Sequence, residues 1–329
     1  MSAFSTVIEK YAGTPAAKEA TRGTERALYR LSQSSTGTQT LETLVEQYPT
    51  SAFAADARFQ IAKRLYQEKR WTDAAEQFRR VVSQFPGYSA ADHAQFLMAD
   101  AYAQARDRDQ ALQAYEQFLA FFPQSELAST VHFRVGLMRF ESKDWMQAAV
   151  AFTRALEDSA GPEVRAASRY NLALCQRQLG ETAEARTALE QYRSDFGNDA
   201  RAADVALQLG DLDEANGDFA AAVKEYETAL AARPSAGLTI EAHYRLGHAR
   251  EQLGDRDGAL KAYQGAVEAT DRDHPFRLSA VARCAALYEA RKDIPRALAA
   301  YKDIMRNSTD PELVAAATDR ASQLEGRKR

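Results

Sequence analysis

The chain has 329 residues, of which 27% are charged, and its formal net charge is −4. It lacks the basic excess that dominates nucleic-acid affinity, so we expect no DNA or RNA partner. No stretch approaches the about 18 apolar residues that a spanning helix needs, and the start does not resemble a signal peptide, so we expect no membrane insertion by this chain.

An alanine followed four positions later by an aromatic residue or leucine recurs along the chain. The alanines are Ala74, Ala111, Ala148, Ala185, Ala222, Ala259 and Ala297, and their partners are Phe78, Tyr115, Phe152, Leu189, Tyr226, Tyr263 and Tyr301. The step is 37 residues, except for a last step of 38. Aromatic residues make up only 9% of the chain, yet they fill six of these seven partner positions. This recurrence predicts a tandem repeat.

The first elements indicate that the chain opens in the middle of a repeat. Phe4 and Tyr11 align with Phe78 and Phe85 two periods later. Residues 1–12 are therefore predicted to be the second helix of a repeat without its first. Two explanations are open: a divergent cap, or a chain that is part of a longer protein, and we favour the second.

Eight predicted units follow in chain order. They are residues 17–49, 53–86, 90–123, 127–160, 164–197, 201–234, 238–272 and 276–308. The first unit is the least regular because Gly37 stands in the alanine position, and we expect local mobility in the Ser/Thr-rich turn around it. Residues 310–326 are predicted to be a capping helix that begins at Asp310-Pro311-Glu312.

Each unit has the pattern helix, turn, helix, stop. The turn recurs as Arg106-Asp107, Lys143-Asp144, Gly180-Glu181, Gly217-Asp218, Gly254-Asp255 and Lys292-Asp293. Glycine can adopt the left-handed conformation that ends the first helix, and the acidic residue can accept N–H groups at the start of the second. The stop recurs as Pro49, Pro86, Pro123 and Pro234, and Ser51, Ser125 and Ser235 follow as predicted N-caps.

The repeat unit resembles the tetratricopeptide repeat (TPR) family. The resemblance rests on a small residue, an aromatic residue one turn later and a proline eight residues further, as in Ala111, Tyr115 and Pro123, and on a Leu-Gly pair in the preceding helix, as in Leu246-Gly247. A TPR unit has about 34 residues, so the units here are slightly longer. The resemblance implies an all-α fold, a right-handed α-solenoid of about eight helix pairs with terminal half-units, as one domain over residues 1–329.

A second, narrower resemblance concerns the segment between repeats. Tyr-Pro-x-Ser followed by Ala-x-x-Ala, from Tyr48 to Ala57, is similar to the bacterial cell-envelope branch of the family. That branch includes the lipoprotein subunit of the outer-membrane barrel assembly machine and the periplasmic Tol-Pal-associated coordinator. The resemblance implies a periplasmic or cell-envelope location, with an export signal or anchor upstream.

No motif predicts catalysis, a metal site or a cofactor. The histidines never form His-x-x-x-His, and neither Cys-x-x-Cys nor a glycine-rich phosphate loop is present. Cys175 and Cys284 fall on alanine-rich first helices, where we expect buried, unpaired thiols. We therefore predict that the chain is not an enzyme.

Aromatic side chains occupy one position of successive first helices, which line the concave surface in TPR-like stacks. They are Phe59, Phe96, Phe133 and Tyr170 in four consecutive units and Tyr244 two units further on, after Leu207, with Lys63 on the same face as Phe59. A ladder of rings suits the burial of an extended or helical peptide. The alternative is that each ring packs between helices, and we favour packing with partial exposure to the groove.

Charge of opposite sign is predicted at two places in the groove. Arg22, Arg26 and Arg30, spaced by four, put three cations on one face of a helix. Asp204, Asp211 and Glu214 should line the same groove in the sixth unit. Such polarity would orient a charged partner, whereas the alternative is a solvated surface.

The sequence therefore predicts a non-catalytic scaffold that binds protein segments in its groove. A bacterial cell-envelope assembly is the favoured setting. The alternative is a cytosolic TPR adaptor or regulatory module of a larger multidomain protein.

Overall fold

A computed structural model of the chain describes residues 2–33, 38–156, 160–197, 199–269 and 274–326. The chain divides into two compact units, Met1–Asn171 (unit 1) and Leu172–Arg329 (unit 2). The turn for which we expect mobility runs from Ser32 to Thr40, and its central residues 34–37 lie outside the described residues.

All regular structure in these described ranges is helical. The helices are α1 (Ser2–Lys10), α2 (Pro15–Gln33), α3 (Gln39–Gln47), α4 (Ala54–Gln67), α5 (Trp71–Gln84), α6 (Ala91–Gln104), α7 (Arg108–Phe121), α8 (Ala128–Glu141), α9 (Trp145–Arg154), α10 (Pro162–Leu179), α11 (Thr182–Phe196), α12 (Ala202–Ala215), α13 (Phe219–Ala231), α14 (Ala236–Gln252), α15 (Arg256–Glu268), α16 (Pro275–Ala290), α17 (Ile294–Asn307) and α18 (Pro311–Gly326). The predicted all-α class is confirmed, and the described residues form eight helix pairs, from α2 and α3 to α16 and α17, with α1 and α18 as half-units. The single-domain division stays a prediction.

The turn inside a pair contains one left-handed residue, and in five pairs an aspartate that caps the second helix follows it. The φ angle is 60° at Lys69, 63° at Arg106, 61° at Lys143, 79° at Gly180, 78° at Gly217, 81° at Gly254 and 61° at Lys292. The carboxylate of the next residue then accepts the N–H three positions on, at Asp107, Asp144, Asp218, Asp255 and Asp293. The predicted turn is confirmed at these five, whereas Glu181 makes no side-chain cap.

Lys143→Gly is expected to raise the free energy of unfolding by about 0.5–1 kcal/mol. The left-handed conformation strains an L-residue by about 1–2 kcal/mol, and the greater freedom of glycine in the unfolded chain offsets part of the gain. Urea unfolding followed by circular dichroism measures the change. Lys143→Ala is the matched control because alanine keeps the strain, and equal stability of the two variants would contradict this explanation.

The repeating alanines and their partners form the inside of each pair. Ala74, Ala111, Ala148, Ala185, Ala222, Ala259 and Ala297 have no exposed surface. The partners Phe78, Tyr115, Phe152, Leu189, Tyr226 and Tyr263 are at most 2% exposed. Small alanines let two helices approach closely, and the large side chain one turn later fills the space beside them.

The Leu-Gly pair of the first helix has a packing role against the same aromatic rings. A Cβ atom on Gly210 would lie 2.5 Å from the ring of Tyr226, and one on Gly247 would lie 2.6 Å from the ring of Tyr263. These separations are shorter than carbon atoms tolerate, so glycine permits the observed contact between helices.

The prolines between repeats follow helix ends as the sequence predicts, but the serines after them do not cap the next helix with their side chains. Pro86 and Pro123 follow the ends of α5 and α7, as predicted. Ser51 and Ser125 are not N-caps, because Phe53 and Leu127 hold those positions. The Ser125 hydroxyl instead accepts from the Leu127 N–H at 3.2 Å and donates to Asp92 at 2.7 Å, which links two repeats. Ser235 is at the N-cap of α14 but makes no side-chain cap.

Candidate functional site

The first helices of consecutive pairs are neighbours within each unit. In unit 1, the hydroxyl of Tyr29 on α2 donates to Asp56 on α4, and that of Tyr66 on α4 donates to Asp100 on α6. In unit 2, Arg245 on α14 binds a carboxylate of α12. We call the solvent-facing side of these helices the first-helix face: α2, α4, α6 and α8 in unit 1, and residues 172–179 of α10 with α12, α14 and α16 in unit 2.

The three predicted arginines lie on the exposed side of α2. Arg22, Arg26 and Arg30 are all exposed. Arg22 lies 3.8 Å from the Glu19 carboxylate, with the two side chains 74% and 76% exposed. Such a solvated pair contributes little energy. The side of α2 therefore presents a basic stripe to solvent.

Phe59 lies deeper than the other predicted aromatic residues. It is 8% exposed, and its ring centroid is 5.7 Å from that of Phe78 and 5.8 Å from that of Tyr88. The Nζ atom of Lys63 lies 5.8 Å from the Phe59 centroid. The structure therefore places Phe59 in the hydrophobic core and Lys63, which is half-buried, over its ring.

The other four aromatic residues, Phe96, Phe133, Tyr170 and Tyr244, are half-buried. In three of them the ring contacts the buried aromatic residue of its own pair. The centroids are 6.2 Å apart for Phe96 and Tyr115, 5.9 Å for Phe133 and Phe152, and 5.7 Å for Tyr244 and Tyr263. One part of each ring packs inside the pair, and the rest stays accessible on the first-helix face.

The predicted acidic residues are half-buried rather than free in solvent. Asp204 is half-buried on α12, and the side chains of Asp211 and Glu214 are 13% and 22% exposed. The hydroxyl of Tyr226 donates to Asp211 at 3.1 Å and to Glu214 at 2.9 Å. The sequence prediction did not include these internal partners of Asp211 and Glu214. Because both carboxylates have partners within the chain, they are less available to a binding partner than the sequence indicated.

Basic side chains of the neighbouring repeats complete this arrangement. The guanidinium of Arg245 lies 2.9 Å from the Asp211 carboxylate, and that of Arg177 lies 3.5 Å from it. Nδ1 of His248 lies 2.7 Å from Glu214. The carboxylates of α12 therefore connect three successive first helices.

The same arrangement recurs further along unit 2. The Tyr263 hydroxyl donates to Glu251 at 3.0 Å, and Arg283 of the next first helix donates to that carboxylate at 2.8 Å. Glu289 accepts from Tyr301 at 2.5 Å and from Arg320 at 2.7 Å. We call these tyrosine, acid and base contacts the inter-repeat polar network. In the sequence, this network is indicated only by acidic and basic residues that lie about one repeat apart.

Burial governs the ionisation of Asp211. Removal from water raises the pKa of its carboxyl from 3.8 to about 6, although Arg245 and the Tyr226 hydroxyl favour the charged form. Burial alone would lower the pKa of Arg245, but Asp211 raises it above the ordinary value. The arginine therefore stays charged, and the carboxyl is the group that titrates near neutral pH.

Metal and thiol chemistry find little support in the described ranges. These residues contain no group of three or more His, Cys, Asp or Glu side chains that could hold a metal ion. Cys175 and Cys284 are buried and unpaired, and burial raises the pKa of each thiol to about 12. Both are therefore neutral and act as small hydrophobic residues.

No described helix is long and apolar enough to cross a membrane.

The paired helices, the left-handed turns and the alanine and aromatic core define an α-helical repeat protein. Two family models described as tetratricopeptide repeat match the chain, one at residues 139–209 and the other at residues 26–89 and 201–274. The chain therefore contains tetratricopeptide repeats. Residues 58–160 also match the family model described as the outer membrane lipoprotein YfiO.

Solved structures with the same fold are distant in sequence. The C-terminal part of a TPR repeat-containing protein from Cytophaga hutchinsonii is 17% identical with a TM-score of 0.62, and the alignment covers 78% of this chain and 98% of that one. A TPR protein from Parabacteroides merdae is 11% identical with a TM-score of 0.51, covering 82% and 98%. YrrB, described as a TPR protein with an unusual peptide-binding site, is 18% identical with a TM-score of 0.50, covering 63% and 98%. Comparison with curated protein sequences gives no significant match.

Proposed function

We propose that this chain is a non-catalytic scaffold that binds a segment of a partner protein along the first-helix face, within a bacterial cell-envelope assembly. Stacked helical repeats create extended surfaces of the kind that repeat proteins use for binding. The helices that form the surface are already ordered, so most of the ordering cost falls on the partner segment. No cofactor is needed for this role.

One observation carries the proposal: the first-helix face of unit 1 combines exposed cations with partly accessible rings. Arg22, Arg26 and Arg30 present a continuous basic stripe on α2, and Phe96 and Phe133 occupy equivalent positions on α6 and α8. Charged groups guide encounter, whereas aromatic rings contribute much of the binding energy at hot spots. The partner segment that fits is therefore acidic at one part and apolar at another.

The envelope setting rests on the outer membrane lipoprotein match. That match covers residues 58–160, which include the helices that carry Phe96 and Phe133. The proposed binding surface and the matched region therefore overlap in unit 1.

The experiment is cross-linked affinity capture from the native organism with the full chain. We compare the wild type with the triple variant Arg22→Glu, Arg26→Glu, Arg30→Glu. Partner capture should fall about tenfold or more at low salt and less in 0.5 M salt, because salt screens exposed charges. The matched control makes the same charge change on second helices, at the exposed residues Lys224, Lys261 and Arg306.

Each result has a defined meaning. Envelope proteins captured by the wild type and the control, but lost by the α2 variant, support the proposal. Capture of cytosolic proteins alone overturns the envelope setting in favour of an adaptor. A captured set that is the same for all three chains overturns binding at the basic stripe.

A further inference from the structure

An open cleft lies between the first helices α6 and α8 of unit 1. Its volume is about 430 Å³, and its lining includes Ala103 of α6 and Arg134 of α8, both of which are exposed. Leu137 and Met138 of α8 contribute half-buried apolar side chains to the same lining. The cleft is therefore part of the first-helix face, and it combines apolar side chains with a cation that solvent reaches directly.

The cleft offers a positive charge to solvent. Its charged residues are Asp100, Arg106, Arg108, Arg134 and Glu141. Arg108 lies 2.8 Å from Glu141, so the two charges offset each other. Asp100 is only 8% exposed. Arg106 and Arg134 are exposed, and their side chains make no hydrogen bond or ion pair among the described residues. An acid that enters the cleft therefore meets two arginines that have no carboxylate of their own.

Unit 2 repeats this construction with the arginine paired. Three steps of 37 residues relate Asp100 to Asp211, Tyr115 to Tyr226 and Arg134 to Arg245. In both units the tyrosine hydroxyl donates to the aspartate, at 3.4 Å in unit 1 and at 3.1 Å in unit 2. Arg245 lies 2.9 Å from Asp211, whereas Arg134 has no ion pair with any described residue. The same three residue types therefore form a closed arrangement in unit 2 and an open one in unit 1.

The acidic residues that close the arrangement in unit 2 have uncharged counterparts in unit 1. Glu241 lies 2.8 Å from Arg245, and Glu214 lies 2.7 Å from Nδ1 of His248. At the same repeat positions, unit 1 has Thr130 for Glu241, Ala103 for Glu214 and Leu137 for His248. Because these side chains carry no charge, Arg134 lacks the acids that surround Arg245. The small Ala103 also leaves space at the position that a glutamate fills in unit 2.

We propose that this cleft binds a carboxylate side chain of the partner segment, which pairs with Arg134 in the way that Glu241 pairs with Arg245 in unit 2. This inference rests on the proposed function, because it assigns an acidic residue to a defined point of the segment that binds the first-helix face. A glutamate suits the lining, since its aliphatic part packs on Ala103 and Leu137 while its carboxylate accepts from the guanidinium. Because the cleft is open, the acid keeps part of its water shell, and the contact selects the partner more than it adds affinity.

The test titrates the full, isotope-labelled chain with N-acetylglutamate α-amide and, separately, with its uncharged analogue N-acetylglutamine α-amide, at constant ionic strength. Amide signals are followed by nuclear magnetic resonance. We expect the acid to shift signals of α6 and α8 with a Kd on the order of 10 mM, because so small a ligand binds weakly. The analogue should bind about fivefold more weakly. Helices α12 and α14 are the internal control, because Glu214 and Glu241 already hold the equivalent positions there, so their signals should not shift.

Three variants locate the site. Arg134→Met removes an exposed cation and should weaken binding of the acid about fivefold. Ala103→Glu supplies a carboxylate from within the chain, as Glu214 does in unit 2, and should abolish binding. Gln117→Glu adds the same charge at an exposed position of α7 outside the lining and should leave binding unchanged. Equal shifts from the two compounds, unchanged binding to Arg134→Met, or equal shifts in α12 and α14 would overturn the proposal.

Affinity capture separates this inference from the proposed function. Ala103→Glu should lower capture of the partner about fivefold at low salt, whereas Gln117→Glu should not. Loss of the partner from both Ala103→Glu and the α2 variant supports both proposals. If the α2 variant loses the partner and Ala103→Glu retains it, the cleft does not bind the partner and the scaffold function stands. If only Ala103→Glu loses the partner, binding at the basic stripe is wrong and the cleft stands.

Discussion

Tyr226→Ala is expected to lower the free energy of unfolding by about 5 kcal/mol. The side chain has no exposed surface, and its removal leaves a cavity against Gly210 of the first helix. The change also removes the hydroxyl that donates to Asp211 and Glu214, so two partly buried carboxylates lose a donor. Urea unfolding followed by circular dichroism measures the effect.

Two controls separate the ring from its hydroxyl. Tyr226→Phe keeps the ring and should cost about 1–3 kcal/mol, because only the donor is lost. Phe152→Ala removes an equally buried ring that has no hydroxyl and should cost about 3–5 kcal/mol. If Tyr226→Phe were as stable as the wild type, the hydroxyl would have no stabilising part in the inter-repeat polar network.

Asp211 is expected to make the chain less stable as the pH rises from about 4 to about 7. In the folded chain its pKa is about 6 against 3.8 when exposed, so between these values the folded state holds a proton that the unfolded state has lost. The unfolded state is therefore favoured progressively through this window, by about 3 kcal/mol in total above pH 6. Below the unfolded pKa, both states are protonated and the contribution vanishes.

The measurement compares the wild type with Asp211→Asn at several pH values. Asparagine mimics the protonated acid, so the two chains should be similarly stable near pH 4. At pH 7, Asp211→Asn should be the more stable by about 3 kcal/mol. Asp204→Asn on the same helix is the matched control. A stability difference that does not change with pH would contradict a raised pKa at Asp211.

The fold was accessible from the sequence because its determinants are local and repeated. The alanine and aromatic positions, the left-handed turn residue and the acidic cap each act within one pair. Their repetition at 37-residue steps separates them from accidental patterns. Lys69, Arg106, Lys143 and Lys292 show that position in the repeat outweighs residue preference, since all four adopt the conformation that glycine favours.

The site was less accessible because its contacts join different repeats. Asp211 and Arg245 are 34 residues apart, as are Glu214 and His248, yet the sequence indicated only charged helix faces. Which acid meets which base depends on the offset between neighbouring first helices, and that offset is a property of tertiary packing. Phe59 and Phe133 occupy the same position of the repeat, yet Phe59 is buried and Phe133 is half-buried. This difference also depends on the tertiary packing between neighbouring helices, which the repeat pattern does not specify.

Binding along the first-helix face is the central claim, and site-specific photo-cross-linking in living cells tests it most directly. A photoreactive amino acid is placed at Arg26, Ala103 and Arg134 on α2, α6 and α8, and at Gln117 and Val150 on the second helices α7 and α9, all exposed positions of unit 1. We predict cross-links to a partner protein from the first-helix positions and none from the second-helix positions. Cross-links from the second helices alone, or from both sets equally, would contradict the claim.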